Sequence, residues 1–195
     1  MTTVGHGIVT VVPDEATVSA GVRSDAASAA AALAQNSRTM NDVIAALKRA
    51  GGKELQTQQV SLYPQTDESG KVTGYVAQNT VSAKASIAGA GALVDAAAGA
   101  GANTVDGPTL TLSDRDALYR SALKKAVEDA RAKALALGEA GGFGVGPVTA
   151  VVEQGATDQP VYAPLAAASK AADSTPVEPG TQDVTADVTV SFTIR

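Results

Sequence analysis

Residues 113–142, SDRDALYRSALKKAVEDARAKALALGEAGG, are the stretch that decides the fold. Apolar residues recur in it at three- and four-residue steps, the period of a helix with one buried face. Ser113 and Asp116 predict a capping box at its start, and Gly138, Gly141 and Gly142 predict its end. The predicted apolar stripe consists of Leu118, Ala122, Leu123, Ala126, Val127, Ala130, Ala134 and Leu137. Because most of these side chains are small, the helix can lie close to a sheet, which the rest of the chain should supply.

The other face of this predicted helix is charged. Lys125 and Asp129 are four residues apart, as are Asp129 and Lys133. Opposite charges at this spacing face each other on a helix surface and stabilise it by a few tenths of a kcal/mol per pair. We therefore expect these three side chains to lie in solvent.

Strands are predicted wherever apolar and polar residues alternate with a period of two. Pro13 and Asp14 predict a turn that joins the first two strands as a pair, and residues 67–70 predict the turn of a second hairpin. The last strand has the clearest alternation in the chain. The predicted strands cover residues 8–12, 16–23, 55–64, 75–87, 105–112, 145–153 and 184–195.

Two more helices complete the predicted architecture. One covers residues 26–50 with Asp25 as its cap, and a short alanine-rich one covers residues 89–101. Strands joined by tight turns, with helices between them, predict an α+β fold with a largely antiparallel or mixed sheet and about three helices packed on it. We expect a single domain over residues 1–195, with a loop rich in proline and alanine at residues 155–182.

Composition excludes several classes of protein. The 195 residues carry a formal net charge of -5 and contain no cysteine, no tryptophan and one histidine. An acidic chain without a cluster of basic residues is not expected to bind nucleic acid. Disulfides, thiol catalysis and thiolate zinc sites are excluded. No apolar run approaches the roughly 20 residues of a membrane span, so none is predicted.

Three candidate sites for chemistry have simpler explanations. The glycines of residues 89–94 follow a strand and open a helix, as in dinucleotide-binding motifs, but the third glycine of that motif is missing. The sequence contains no nucleophile-elbow pattern that would provide a nucleophile for His6. The close carboxylates, such as Asp67 and Glu68, fit turns and helix caps better than a calcium loop. We therefore expect no catalytic residue, cofactor or metal, and keep binding of a small ligand or nucleotide at residues 89–94 as the alternative.

The order of short motifs along the chain resembles the SIMPL-domain family, of the YggE-like, periplasmic immunogenic protein type. The motifs are Gly5-x-Gly7, Pro13-Asp14-x-Ala16, Gly21-Val22, Gln56-Thr57, Tyr63-Pro64, Gly74-Tyr75, Gly101-Ala102-Asn103, Ser113-Asp114, Ala126-Val127, Asp129-Ala130-Arg131-x-Lys133-Ala134 and Pro176-x-Glu178-Pro179-Gly180. The resemblance covers nearly the whole chain. It implies a one-domain α+β protein of the periplasm or cell envelope that is inclined to self-assemble and is linked to oxidative-stress tolerance. The family has no established catalytic residues to carry over.

These observations together predict a non-enzymatic cell-envelope protein that forms a homo-oligomer. The predicted mechanism is pairing of the terminal strand, or of the proline-rich segment before it, with a neighbouring subunit. Location in the periplasm or envelope requires that an export leader was removed from the sequence, and without such a leader the expected location is the cytoplasm. The predicted interface residues are Val184, Val188, Val190, Phe192, Tyr162 and Pro164.

Overall fold

The computed structural model describes residues 1–155 and 175–195 and confirms the α+β prediction. The described residues form three helices and two antiparallel sheets. The strands are β1 (Thr2–Val11), β2 (Glu15–Ala26), β3 (Lys53–Thr66), β4 (Val72–Ser86), β5 (Thr104–Thr111), β6 (Val145–Glu153) and β7 (Gln182–Ile194). The helices are α1 (Ala29–Arg49), α2 (Ile87–Gly99) and α3 (Arg115–Gly141).

The elements divide into two compact units. The first unit contains β1, α3, β6 and β7, and therefore combines the beginning, the later middle and the end of the chain. The second unit contains the elements from β2 to β5 without interruption. Each unit has its own sheet and its own hydrophobic core.

The second unit is a four-stranded sheet in the order β3-β4-β2-β5 with α1 and α2 packed against it. Alternate residues of β2, such as Val18 and Val22, meet Met40 and Leu47 of α1 in a fully buried cluster. One buried residue of α1 is polar. Asn36 donates through Nδ2 to the carbonyl oxygens of Val22 and Ala77, at 2.7 and 3.0 Å, and so ties the helix to two strands.

The first unit is a three-stranded sheet in the order β1-β7-β6 with α3 lying over β1 and β7. Its core joins the alanine stripe of α3 to Val188, Val190 and Phe192 of β7. The close approach of helix and sheet depends on Gly5 and Gly7, because a Cβ at either position would overlap backbone atoms of Ala126 or Ala122. The predicted match between a small-residue helix and a nearby sheet is thus found, and β1 supplies the glycines.

Several predicted boundaries and pairings need correction. β1 and β2 do not pair with each other, since β1 pairs with β7 and β2 pairs with β4 and β5. The caps also differ: Ser28 caps α1 where Asp25 was predicted, and Asp114 caps α3 by accepting from the N–H of Ala117. Leu137 is about half exposed, so it does not belong to the buried stripe, which continues through Gly138. The hairpin of β3 and β4 is confirmed.

Candidate functional site

The residues predicted to form an oligomer interface on the terminal strand lie in the core of the first unit. Val184, Val188, Val190 and Phe192 are at most 6% exposed. β7 is also the central strand, with β1 on one side and β6 on the other, so neither of its edges is open to a neighbouring subunit. Edge pairing through β7 is therefore the wrong mechanism. The other two predicted residues, Tyr162 and Pro164, lie outside the described residues.

Beyond residue 155, the structure describes the proline-rich segment from residue 175 onward. Thr175 donates to Asp95 of α2 from both its backbone N–H (3.2 Å) and its hydroxyl (2.7 Å). Its carbonyl oxygen lies against Gly91, where a Cβ would overlap it. The glycine of the suspected nucleotide motif is therefore explained by packing of the chain on itself. The helix also follows a strand of an antiparallel sheet, whereas dinucleotide-binding motifs occur in parallel sheets.

Assembly through a sheet edge depends on the strands that end each sheet, and the outer edge of β1 is closed by α3. Lys125 Nζ donates to the carbonyl oxygen of Ile8 (2.8 Å), and Lys133 Nζ donates to that of Val4 (3.1 Å). Between them, the His6 N–H donates to Asp129 Oδ2 at 2.8 Å. Cations thus meet the two carbonyl oxygens and an anion meets the N–H, so these three backbone groups are not free to pair with another strand.

The match between helix and strand has a geometric cause. Four residues of a helix rise about 6 Å, and two residues of a strand rise about 6.6 Å. Side chains at every fourth position of α3 therefore stay opposite every second residue of β1. The sequence suggested solvent-exposed ion pairs for Lys125, Asp129 and Lys133, and Lys133 does bond to Asp129 at 2.6 Å. No signal in the sequence indicated the contact of all three side chains with the backbone of β1.

Removing the charge of Asp129 is expected to change the acid sensitivity of the protein. The hydrogen bond from Lys133, and then that from the His6 N–H, lower the pKa of the Asp129 carboxyl below its ordinary range. A carboxyl with a lowered folded-state pKa stabilises the fold above its unfolded pKa of about 4, and this contribution disappears as the pH falls through the folded-state value. Asp129→Asn should therefore lower the urea midpoint near pH 6 and have little effect near pH 2.

The comparison for this variant is Glu128→Gln, which removes one negative charge from an exposed neighbouring position of α3. Its urea midpoint should differ from that of the wild type by a similar small amount at every pH between 2 and 6. A difference between Asp129→Asn and wild type that persists unchanged at pH 2 would show that the ionised carboxylate is not the stabilising group.

The two edges of the second unit are interrupted within the strands themselves. β3 contains Pro64 and three register irregularities against β4. β5 contains Pro108, which has no N–H to donate, preceded by Gly107 at a φ of +101°. Prolines and bulges in edge strands hinder pairing with a further strand. β5 is therefore a poor template for assembly. In β3 the irregularities lie towards the two ends, and the strand is in regular register with β4 from Gln59 to Gln65.

β6 is the remaining edge. It pairs with β7, and no other strand of the described residues lies beside it. Pro147 and two register irregularities fall in its first half, whereas Ala150 to Glu153 pair with β7 in regular register. Val148, Val151 and Val152 are 43 to 59% exposed, and Glu153 is the only charged residue of the strand. A regular, apolar, weakly charged edge strand is a site at which another strand can add.

The helix side of β6 is also incompletely covered. Val151 lies opposite the buried Val190 and so faces the side of the sheet that carries α3, yet it is half exposed. A surface depression of about 400 Å³ runs along α3 against Leu123, Lys124, Val127 and Glu128. Tyr119 donates its hydroxyl to Glu153 Oε1 (2.6 Å), and this bond, with some burial, raises the pKa of the tyrosine.

The single histidine lies on the face of this sheet that points away from α3. His6 Nδ1 is 2.6 Å from Asp187 Oδ1, a pair between directly opposed residues of β1 and β7. A nucleophilic triad needs a base, an orienting carboxylate and a nucleophile in contact with the base. The His6–Asp187 pair supplies the first two groups. Within residues 1–155 and 175–195, no cluster of three histidine, aspartate or glutamate side chains is placed to hold a metal ion.

The comparisons with known proteins identify the family of the chain. Residues 1–192 match SIMPL, described as a protein of unknown function (DUF541). The chain belongs to the SIMPL family. The 26 kDa periplasmic immunogenic proteins of Brucella melitensis biotype 1 and Brucella abortus strain S19 are each 29% identical to it over 209 residues. These alignments cover 98% of the chain and 83% of each relative.

The SIMPL match extends over both compact units of the structure. It therefore includes α3, the sheet of the first unit and the edge strand β6. In the described part of this SIMPL chain, no helix has the length and apolar character needed to cross a bilayer.

Proposed function

We propose that the protein is a non-enzymatic component of the bacterial periplasm or cell envelope that acts as a homo-oligomer. The names of the Brucella relatives support the location, since both are called periplasmic proteins. The observation that supports self-assembly is the difference between the two edges of the first sheet. Backbone groups of β1 are bonded to side chains of α3, whereas β6 presents a regular apolar strand from Ala150 to Glu153. Natural sheets avoid such an edge unless something covers it.

The proposed function does not involve an active site. The described residues provide no metal cluster, and the glycines of α2 pack against the chain itself. The sequence has no cysteine, so it lacks the thiol chemistry by which redox sensors respond to oxidants. A contribution to oxidative-stress tolerance, which the family resemblance implies, would then come from the assembled protein acting on the envelope.

The test is the solution mass by light scattering across a dilution series, with Val151→Lys as the diagnostic variant. We expect the wild type to have a mass that is a multiple of the 19.3 kDa of one chain. A lysine in the open edge strand opposes pairing, so the variant should dissociate at a concentration at least tenfold higher than the wild type.

The matched control is Val60→Lys, which places a lysine on another exposed valine of an edge strand, β3. This variant should keep the mass and dilution behaviour of the wild type. A wild type that is monomeric at all concentrations would refute self-assembly. If Val60→Lys dissociates the oligomer and Val151→Lys does not, the protein assembles through a surface other than β6.

A further inference from the structure

We infer that the second unit binds a small carboxylate in a notch of its sheet, with Arg23 as the principal contact. The notch lies at Gly21 of β2, is also lined by Gln78, Thr80 and Thr104, and has a volume of about 100 Å³. Binding at this place is independent of the proposed self-assembly, because all the residues that line the notch belong to the second unit.

The notch lies on the outer face of this sheet, the face that points away from α1 and α2. Both helices contribute to one core, in which Ala20 and Val22 of β2 are buried. Successive side chains of a strand point to opposite faces, so Gly21 and Arg23 belong to the outer face. A ligand on this face therefore does not have to displace either helix.

The notch is a place where one side chain is missing from a row across three strands. Gly21 pairs with Thr80 of β4 on one side and with Thr104 of β5 on the other. A Cβ at Gly21 would lie 3.4 Å from the hydroxyl oxygen of Thr80 and 3.2 Å from the Cβ of Thr104. The glycine thus leaves a gap between two threonines, and one hydroxyl group lies at the edge of that gap.

The polar side chains around the gap have hydrogen-bonding groups to offer a ligand. Further along the outer face, the hydroxyl of Ser82 accepts from Gln58 Nε2 at 2.7 Å. By contrast, the side chains of Gln78, Thr80 and Thr104 make no hydrogen bond to any other residue that the structure describes. Two hydroxyl groups and one amide can therefore donate to an oxygen placed in the notch.

Arg23 is the one charged residue among the described residues that line the notch. Its guanidinium has five N–H donors, and the bond recorded for it runs from Nη2 to Asp25 Oδ1 at the long distance of 3.4 Å. The same oxygen of Asp25 also accepts from Gln65 Nε2 at 2.9 Å. Asp25 thus makes a single long contact with Arg23, and the guanidinium keeps most of its donors for a ligand.

The side chain of Asn103 holds the backbone of Arg23 in place. The Arg23 N–H donates to Asn103 Oδ1 at 2.8 Å, and Asn103 Nδ2 donates to the carbonyl oxygen of Arg23 at 2.7 Å. The Asn103 N–H also donates to the carbonyl oxygen of Gly21 at 3.0 Å. Asn103 therefore fixes both backbone positions of β2 that form the notch, and such preorganisation lowers the cost of binding.

The chemistry and the size of the notch favour a carboxylate as the bound group. A guanidinium presents two parallel N–H groups that match the two oxygens of a carboxylate. A volume of about 100 Å³ corresponds to about three water molecules at about 30 Å³ each. This space holds the three heavy atoms of a carboxylate, while the rest of a larger ligand would extend into solvent.

Saturation-transfer difference NMR with sodium acetate tests this inference. The method detects the methyl signal of acetate and works for a monomer and an oligomer alike, so a monomeric wild type would refute self-assembly without affecting this test. At constant ionic strength, kept with sodium chloride, we expect saturable binding with a dissociation constant of about 1 to 10 mM, a value suited to a ligand of four heavy atoms. Acetamide, the neutral analogue of acetate, should bind at least tenfold more weakly.

Three substitutions should change this affinity in stated directions. Gly21→Ala fills the notch, and Arg23→Gln removes the charge, so each should weaken acetate binding at least tenfold. Asp25→Asn removes the carboxylate that competes for Arg23 and should tighten binding at least twofold. The matched controls in the same unit are Gly99→Ala, where a Cβ meets no atom within 4 Å, and the exposed Arg49→Gln. Both controls should bind acetate as the wild type does.

The result that would overturn the inference is acetate binding of wild-type strength in Arg23→Gln, whose exposed side chain can be replaced without disturbing the core. Absence of saturable acetate binding to the wild type would overturn it as well. Competition by propionate and phosphate identifies the class of anion. Propionate should displace acetate more effectively than phosphate does, and the reverse order would show that the notch takes a tetrahedral anion and that a carboxylate is the wrong ligand.

Discussion

Replacing Asn36 with aspartate is expected to lower the free energy of unfolding by about 3 kcal/mol or more at pH 7. The amide of Asn36 is buried and donates two hydrogen bonds, to Val22 and Ala77. The change keeps the size of the side chain but replaces two donated protons with an ionised oxygen that faces two carbonyl oxygens. An uncompensated buried charge typically costs 3 to 5 kcal/mol.

The effect should depend on pH in one direction. Burial among acceptors raises the folded-state pKa of the introduced carboxyl above its unfolded value of about 4. The destabilisation is then greatest at neutral pH and decreases as the pH falls, because a protonated carboxyl is neutral and can donate one hydrogen bond. Urea unfolding of Asn36→Asp and wild type between pH 3 and 7 measures this difference.

The matched control is Asn41→Asp, the same change at an exposed position of α1. It should alter the free energy of unfolding by no more than about 0.5 kcal/mol. Equal losses in the two variants would mean that the cost comes from helix propensity or net charge, and the donated bonds of Asn36 would then have no special role.

The second large effect is expected for Gly7→Ala, which should destabilise the first unit by about 3 kcal/mol. A methyl group at this position would overlap the carbonyl oxygen of Ala122 and approach the N–H of Ala126. Both obstacles belong to the backbone of α3, so no side-chain rotation can relieve the overlap. The helix has to move away from β1. This movement loosens the packing of Ala122 and Ala126, the bond that Lys125 donates to β1 and the bond that Asp129 accepts from it.

Urea unfolding also measures this effect, with Gly144→Ala as the control in the same unit. The nearest atoms to a Cβ at Gly144 are 3.5 Å away, which is ordinary van der Waals contact. The control should therefore change stability by less than about 1 kcal/mol. If Gly7→Ala unfolds at the wild-type midpoint, the interface between helix and strand can adjust, and the glycine is not required for close packing.

Sequence periodicity predicted the elements of this fold better than their partners. α3, β6 and the hairpin of β3 and β4 could be identified because their spacing, turn residues and glycines act locally. The assignment of β1 and β2 to different sheets could not be predicted, because the alternation of apolar and polar residues identifies a strand but does not specify its partner. Turn residues such as Pro13-Asp14 are compatible with a connection between two sheets as well as with a hairpin.

The prediction of an oligomer interface on β7 was wrong for a related physical reason. The regular alternation in β7 was taken as the mark of an exposed pairing strand, but the most regular strand is the one with neighbours on both sides and a helix above it. The open strand β6 has a less regular pattern because one of its faces is only partly covered. The charged residues at every fourth position of α3 could be identified in the sequence. Their hydrogen bonds to the backbone of β1 could be found only from the position of that strand in the structure.

The division of the chain between the two units has a consequence for biosynthesis. β7, the central strand of its sheet, follows all the other described elements in the chain, and its pairing joins residues as far apart as Thr2 and Ser191. β1 and β6 therefore have no partner strand until β7 has been made, whereas β2 to β5 are complete long before. Late contacts of such sequence separation fold slowly. A nascent or translocating chain would expose the apolar strands β1 and β6 until β7 pairs with both, so the thirteen residues of β7 end the period in which the sheet is open to aggregation.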